Sequence, residues 1–169
     1  CILVVTGPNM AGKSTFLRTV GVSLVMAMAG APVCADRFEL SVMKLCTSLQ
    51  TSDSLDKHLS LFYAELLRLK MILDAIAVKE HDIQAPVFFM IDEMLKGTNT
   101  LDRQKGSIVL LKQLLKQRAG GIIATHDLEL TKLGQEEEKI VNAHFDGYVQ
   151  EDRLLFDYKL KQGICESFN

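Results

Sequence analysis

Apolar positions along this chain switch between unbroken runs and helical spacing. Ile2 to Thr6 is a short β-branched run, the pattern of a strand covered on both faces. From Ser14 to Ala29 the spacing changes: Phe16, Leu17, Val20, Leu24 and Met28 recur at helical intervals until Gly30 and Pro32 end the pattern. Residues 34–56 lose any period, and "TSLQTSDSLD" is rich in turn formers, which predicts a partly exposed connection. Helical spacing returns from Ser60 to Val78 through Leu61, Leu66, Leu67, Leu69, Ile72, Leu73 and Ile76.

A second buried-strand run, "APVFFMIDE", ends in two carboxylates, and the turn "GTNT" leads into a helical stretch from Arg103 to Arg118 with Ile108, Leu111, Leu114 and Leu115 on one face. Gly120-Gly121 stops that helix before a third strand, "GIIATH". This order predicts an α/β fold with a mainly parallel sheet flanked by helices. The tail, "KIVNAHFDGYVQEDRLLFDYKL", has β-rich segments around "QEDR" and predicts a C-terminal β-hairpin.

The 169 residues suit one domain with one core, so residues 1–169 are read as a single unit. With 19 Lys and Arg against 21 Asp and Glu, the formal charge of −2 supplies no basic footprint for nucleic acid or an anionic membrane. Any DNA contact is therefore expected from regions outside this chain. Cys1, Cys34, Cys46 and Cys165 are scattered without CxxC pairing, which reads as reduced cytoplasmic thiols. No apolar stretch is long enough to span a membrane, so no membrane partner is expected. Because the chain opens on Cys1 already inside a strand pattern, further residues are expected upstream.

The candidate chemistry sits where strands end. Gly7, Gly12, Lys13 and Ser14 satisfy G-x-x-x-x-G-K-[ST] between a buried strand and a helix. Glycines let successive N–H groups turn inward, the helix terminus adds positive potential, Lys13 can reach the β- and γ-phosphates, and the Ser14 hydroxyl can ligate Mg²⁺. Such a loop alone does not choose between a kinase, a GTPase and an ATPase. Asp92, at the tip of "VFFMI", is placed to hold the magnesium hydration shell, and Glu93 to orient or deprotonate water, which favours hydrolysis over transfer. His126 closes "IIATH", so in a parallel sheet it reaches the same edge and could sense the γ-phosphate. His58, His81 and His144 have no such placement and are read as structural.

Taken together, "TGPNMAGKST", "IDEMLKGTNTLDR" and "ATHDLEL" resemble the ATPase domain of the MutS family of DNA mismatch-repair proteins, a branch of the ABC-type ATPases. The resemblance runs over nearly the whole chain, and "VNAHFDGYVQEDRLLFDYKLKQG" is similar to the family's closing hairpin. It implies a P-loop NTPase fold with ATP and Mg²⁺ bound. Gly7, Pro8, Asn9, Met10, Ala11, Gly12, Lys13, Ser14 and Thr15 would hold the phosphates, Ser14 and Asp92 the metal, with Glu93, Lys13 and His126 catalytic. The resemblance further implies a homodimer with composite ATP sites: "LSLFYAEL" looks like the signature segment that reaches the other copy's nucleotide, making Ser60 the trans contact. Read without the family, Ser60 is a helix N-cap. "GTNTLD", residues 97–102, resembles the loop that crosses the dimer interface, and adenine contacts are expected upstream.

Several positions depart from the family pattern and suggest a divergent branch. Ala11 replaces the more usual glycine, "MLKGTNTLDR" replaces the isoleucine-glycine-arginine and serine-threonine-tyrosine flavour of standard members, and Asp127 follows His126 where tyrosine is common. Other ABC-type ATPases, of transporter or chromosome-maintenance kind, would show a Leu-Ser-Gly-Gly signature, which is absent. The expected function is ATP-driven dimerisation that couples nucleotide state to DNA-gripping domains elsewhere. The alternative is a nucleotide-binding interaction module without turnover.

Overall fold

The computed structural model describes residues 1–49, 61–77, 85–117, 119–150 and 153–165. Its larger sheet contains β1 (Ile2–Thr6), β2 (Lys44–Ser48), β3 (Val87–Asp92), β4 (Gly120–Ala124), β5 (Ile140–His144) and β8 (Lys161–Gln162), in the order β2-β3-β4-β1-β5-β8. All pairings are parallel except β5 with β8. β6 (Gly147–Gln150) and β7 (Arg153–Phe156) form a separate antiparallel hairpin.

Helices cover both faces because the strands are apolar on both. Val5, Met90, Ile122 and Ala124 pack with Leu17 and Leu24 of α1 (Lys13–Met28). The alternate positions Val4, Phe89, Ile91 and Ile123 face the other way, against α2 (Leu61–Ala77), α3 (Thr100–Leu115) and α4 (Glu129–Glu136). Leu111 and Leu114 of α3 are fully buried there, and truncating either to Ala costs about 2–5 kcal/mol by loss of transfer energy and cavity formation. Gly121 serves the same layer: a Cβ there would meet the Phe89 carbonyl oxygen and ring at 2.4 Å, so the bare backbone is what lets Phe89 lie across β4.

Three differences from the expected elements have physical reasons. Residues 34–56 contain β2, an edge strand whose partly exposed "KLCTS" carries no buried-strand signature. α3 starts at Thr100 rather than Arg103, because Asn99 caps it: its Oδ1 accepts the Asp102 N–H at 3.0 Å. "IVNAH" is not part of the hairpin but a parallel strand beside β1, and the hairpin is the β6–β7 pair around "QEDR". Among the described residues no helix is long and apolar enough to cross a membrane.

Candidate functional site

In a sheet ordered β3-β4-β1, the carboxyl ends of three neighbouring strands lie side by side, and ligands of parallel sheets bind outside that edge. The glycine loop leaves β1, Thr125 and His126 follow β4, and Asp92 ends β3. Gly7 (φ 145°) and Gly12 (φ 102°) adopt conformations that L side chains rarely take. A Cβ on Gly7 would also lie 2.6 Å from the Phe145 carbonyl oxygen. Met10 (φ 70°) is left-handed as well and its side chain is 85% exposed. Ala11 has no such backbone requirement and its methyl is buried in the α1-side core, so alanine is accommodated where the family commonly has glycine.

Lys13, the first residue of α1, is buried with its Nζ donating to the Gly7 carbonyl at 2.6 Å and the Pro8 carbonyl at 2.9 Å. Burial pushes this ammonium below the ordinary lysine value, partly opposed by the charges of Glu93 and Asp92. Glu93 lines the same cavity as Lys13. Its Oε1 accepts from His126 Nδ1 at 2.7 Å, and Lys96 Nζ is 3.6 Å from Oε2. Burial acts to raise the Glu93 carboxyl, but the His126 hydrogen bond and the charges of Lys96, His126 and Lys13 outweigh it and hold the group below the usual carboxylate value.

The turn after β3 is unusual in that Glu93 and Leu95 both have φ 58°. Non-glycine residues in the left-handed region cost about 1–2 kcal/mol each and persist where surrounding contacts over-determine them. Leu95 packs its side chain against Gly106 of α3, where a Cβ would lie 2.4 Å from Leu95 Cδ1. Asp127, another departure, accepts the Glu129 N–H at 3.0 Å and so satisfies an open donor at the head of α4.

These groups face a cavity of about 690 Å³. Its lining combines polar residues, Lys13, Ser14, Thr15, Asp92, Glu93 and Lys96, with apolar and aromatic ones, Phe16, Phe145, Tyr158 and Leu160. Phe16 and Phe145 meet edge to face at 5.8 Å. Asn9, Met10 and Gly12 of the loop also line the cavity, whereas Gly7, Pro8 and Ala11 do not, and His126 reaches it through Glu93. Ser60 lies outside the described residues, as do His58 and His81. Ser14 and Asp92, the expected metal pair, both line this cavity. One hydroxyl and one carboxylate suit Mg²⁺, which takes few protein ligands and fills its octahedron with phosphate oxygens and water.

Sequence reasoning missed Tyr158, Lys96 and the aromatic pair Phe16–Phe145 as site residues. Tyr158 (φ 53°) sits over the glycine loop, 3.2 Å from where a Gly12 Cβ would stand. "FDYKL" reads as strand, and nothing local in it signals a contact with residue 12.

The architecture defines a mainly parallel α/β domain with a cavity of mixed polar and aromatic lining at its carboxyl edge. The family model described as MutS domain V matches residues 3–168, and the chain belongs to that family. It is 31% identical to MutS protein homolog 4 of Mus musculus and 30% to that of Homo sapiens, each over 99% of this chain. It is also 31% identical, over 95% of its length, to the DNA mismatch repair protein MutS of Persephonella marina (strain DSM 14350 / EX-H1). The chain spans 18% of the length of each of these relatives.

Proposed function

We propose that this domain is a P-loop NTPase of the ABC type that binds and hydrolyses ATP. The observation that carries the reading is one cavity lined both by the Lys13 and Lys96 ammonium groups, which suit phosphate oxygens, and by the Phe16, Phe145 and Tyr158 rings, which suit a base. Lys13 would exchange its bonds to the Gly7 and Pro8 carbonyls for phosphate oxygens, relieving the burial of an ammonium that now has only neutral acceptors in contact. Loop N–H groups and the head of α1 add positive potential at the same place. Tyr158, 65% exposed, offers its ring as a wall for the base.

Ser14 and Asp92 would hold Mg²⁺, which neutralises charge developing on the phosphates when bound. Glu93 is the general base that takes a proton from water, and His126 fixes the direction of its carboxylate. The site is completed in the reading by Ser60 of a second copy, with the 97–102 segment crossing between copies, so hydrolysis would be tied to dimerisation. Regions of the parent protein outside this chain would grip DNA, in mismatch repair or damage sensing, with nucleotide state as the signal.

A second reading, nucleotide binding without turnover, draws on Glu93 itself, both of whose oxygens are already engaged, Oε1 by the His126 ring and Oε2 by the Lys96 ammonium. Mg²⁺-dependent phosphate release, measured as protein concentration rises in native protein and Glu93→Gln, separates the two. A per-chain rate that climbs with concentration and collapses in the variant supports the composite hydrolytic site. A flat rate unaffected by the variant leaves binding without turnover.

A further inference from the structure

Glu65 reaches from α2 to the turn that follows β3, outside every role assigned so far. Its Oε1 accepts the Leu95 N–H at 2.5 Å, and its Oε2 accepts the Lys96 N–H at 3.0 Å. Two successive N–H groups turned the same way form an anion-binding concavity, and a carboxylate held in one makes charge-assisted bonds stronger than neutral pairs. The same face of α2 grips the turn a second time: Phe62, one helical turn before Glu65, packs so closely on Gly97 that a Cβ there would lie 2.5 Å from Phe62 Cβ. Between those two holds the backbone runs through the left-handed Leu95, just after the left-handed Glu93.

We infer that Glu65 is a positioning residue: by binding the Leu95 and Lys96 amides it sets where Glu93 and the Lys96 ammonium stand at the mouth of the cavity, and makes that placement depend on α2. The inference rests on the hydrolytic reading. The Glu65 carboxylate does not line the cavity, so it acts on the reaction through the turn alone. Any displacement of α2 against the sheet is delivered to the backbone of Lys96, three residues from the general base, whose Oε2 the Lys96 Nζ faces at 3.6 Å.

The test compares Glu65→Ala and Glu65→Gln with native protein in the full parent chain, reading kcat, the dissociation constant of a fluorescent ATP analogue, and the number of binding sites by titration. Glu65→Ala is expected to lower kcat per binding site by roughly ten- to a hundredfold, the scale of a small misplacement of a catalytic group, with affinity within about twofold. Glu65→Gln keeps one acceptor oxygen and should recover part of the loss. Loss of sites in proportion to activity, with native kcat at the remaining ones, would overturn the inference and leave Glu65 a fold contact. If Glu65→Ala does not fold, Glu65→Gln decides: a severalfold fall in kcat at native affinity supports it, and native kcat overturns it. Native protein without Glu93-dependent hydrolysis overturns the underlying reading and this inference with it. Glu93-dependent hydrolysis indifferent to both Glu65 variants overturns this inference alone.

Discussion

His126 Nδ1 stands 2.7 Å from Glu93 Oε1, and since an ionised carboxylate can only accept, the imidazole carries its proton on Nδ1. The histidine thereby fixes a carboxylate on a backbone conformation that leaves little other freedom, with φ 58° at Glu93 itself. Because this bond is the largest influence lowering the Glu93 carboxyl against the opposing effect of burial, its removal has a definite direction.

His126→Ala should raise the Glu93 carboxyl. If Glu93 is the base, the acid limb of the pH–rate profile moves to higher pH, because the carboxylate is lost earlier as pH falls. The same sign applies to stability. Glu93 is more acidic folded than unfolded, so its contribution is present above the unfolded value near 4.3 and is lost as pH falls through the lower folded value. The variant should lose part of that contribution. A pH–rate profile with an unmoved acid limb would show that His126 does not tune Glu93.

Lys13→Met tests the phosphate-binding role of the Lys13 ammonium. The variant removes the donor of two loop carbonyl bonds and the charge aimed at the cavity. Hydrogen bonds to charged groups contribute about 1.5–3 kcal/mol, so ATP affinity measured calorimetrically should fall by at least tenfold. Unchanged affinity would place the triphosphate elsewhere.

Gly7→Ala and Ala11→Gly, only four positions apart, should behave differently. At Gly7 the backbone has φ 145° and a methyl would lie 2.6 Å from the Phe145 carbonyl oxygen, so the loop must shift and both melting temperature and ATP affinity should drop. At Ala11 the backbone is not left-handed and the methyl is buried, so glycine loses packing and gains unfolded-state freedom, costing about 1 kcal/mol of stability. Thermal melts of the two variants, with calorimetry on each, read both effects.

The parts that were legible in sequence are those where a single physical demand dominates. Strands buried on both faces must be apolar throughout, so β1, β3 and β4 stand out, and a tight turn beside a helix head demands Gly7 and Gly12. Parallel strand order then brings Lys13, Asp92 and Glu93 to one cavity, and His126 to Glu93. What was not legible depends on contacts between distant segments. β2 is a half-exposed edge strand with mixed residues, and the hold of Glu65 on the Leu95 and Lys96 amides spans 30 and 31 positions. Tyr158 over Gly12 is of the same kind, fixed by the path of the tail rather than by any local pattern.

That tail path yields the last prediction. Lys161 Nζ lies 2.9 Å from Asp146 Oδ2 and 2.9 Å from Asp157 Oδ2, which pins the segment carrying Tyr158 to the end of β5. The hydrogen bond from Lys161 holds both aspartates below the usual carboxylate value, and they in turn raise the Lys161 ammonium. The aspartates contribute above their unfolded value and lose it as pH falls through the lower folded one. Lys161 contributes below its unfolded value and loses it as pH rises through the higher folded one. As a solvent-facing set of charges the clamp weakens with salt. Tyr158→Ala should weaken ATP binding by the worth of a base stacked on an aromatic ring, about 1–3 kcal/mol, while leaving inorganic triphosphate binding unchanged. Lys161→Met, which frees the segment without touching the cavity, should give a smaller loss of the same kind, and the ATP advantage over triphosphate in native protein should shrink as salt is raised. Equal loss of ATP and triphosphate in Tyr158→Ala would mean that the ring supports the glycine loop and not the base.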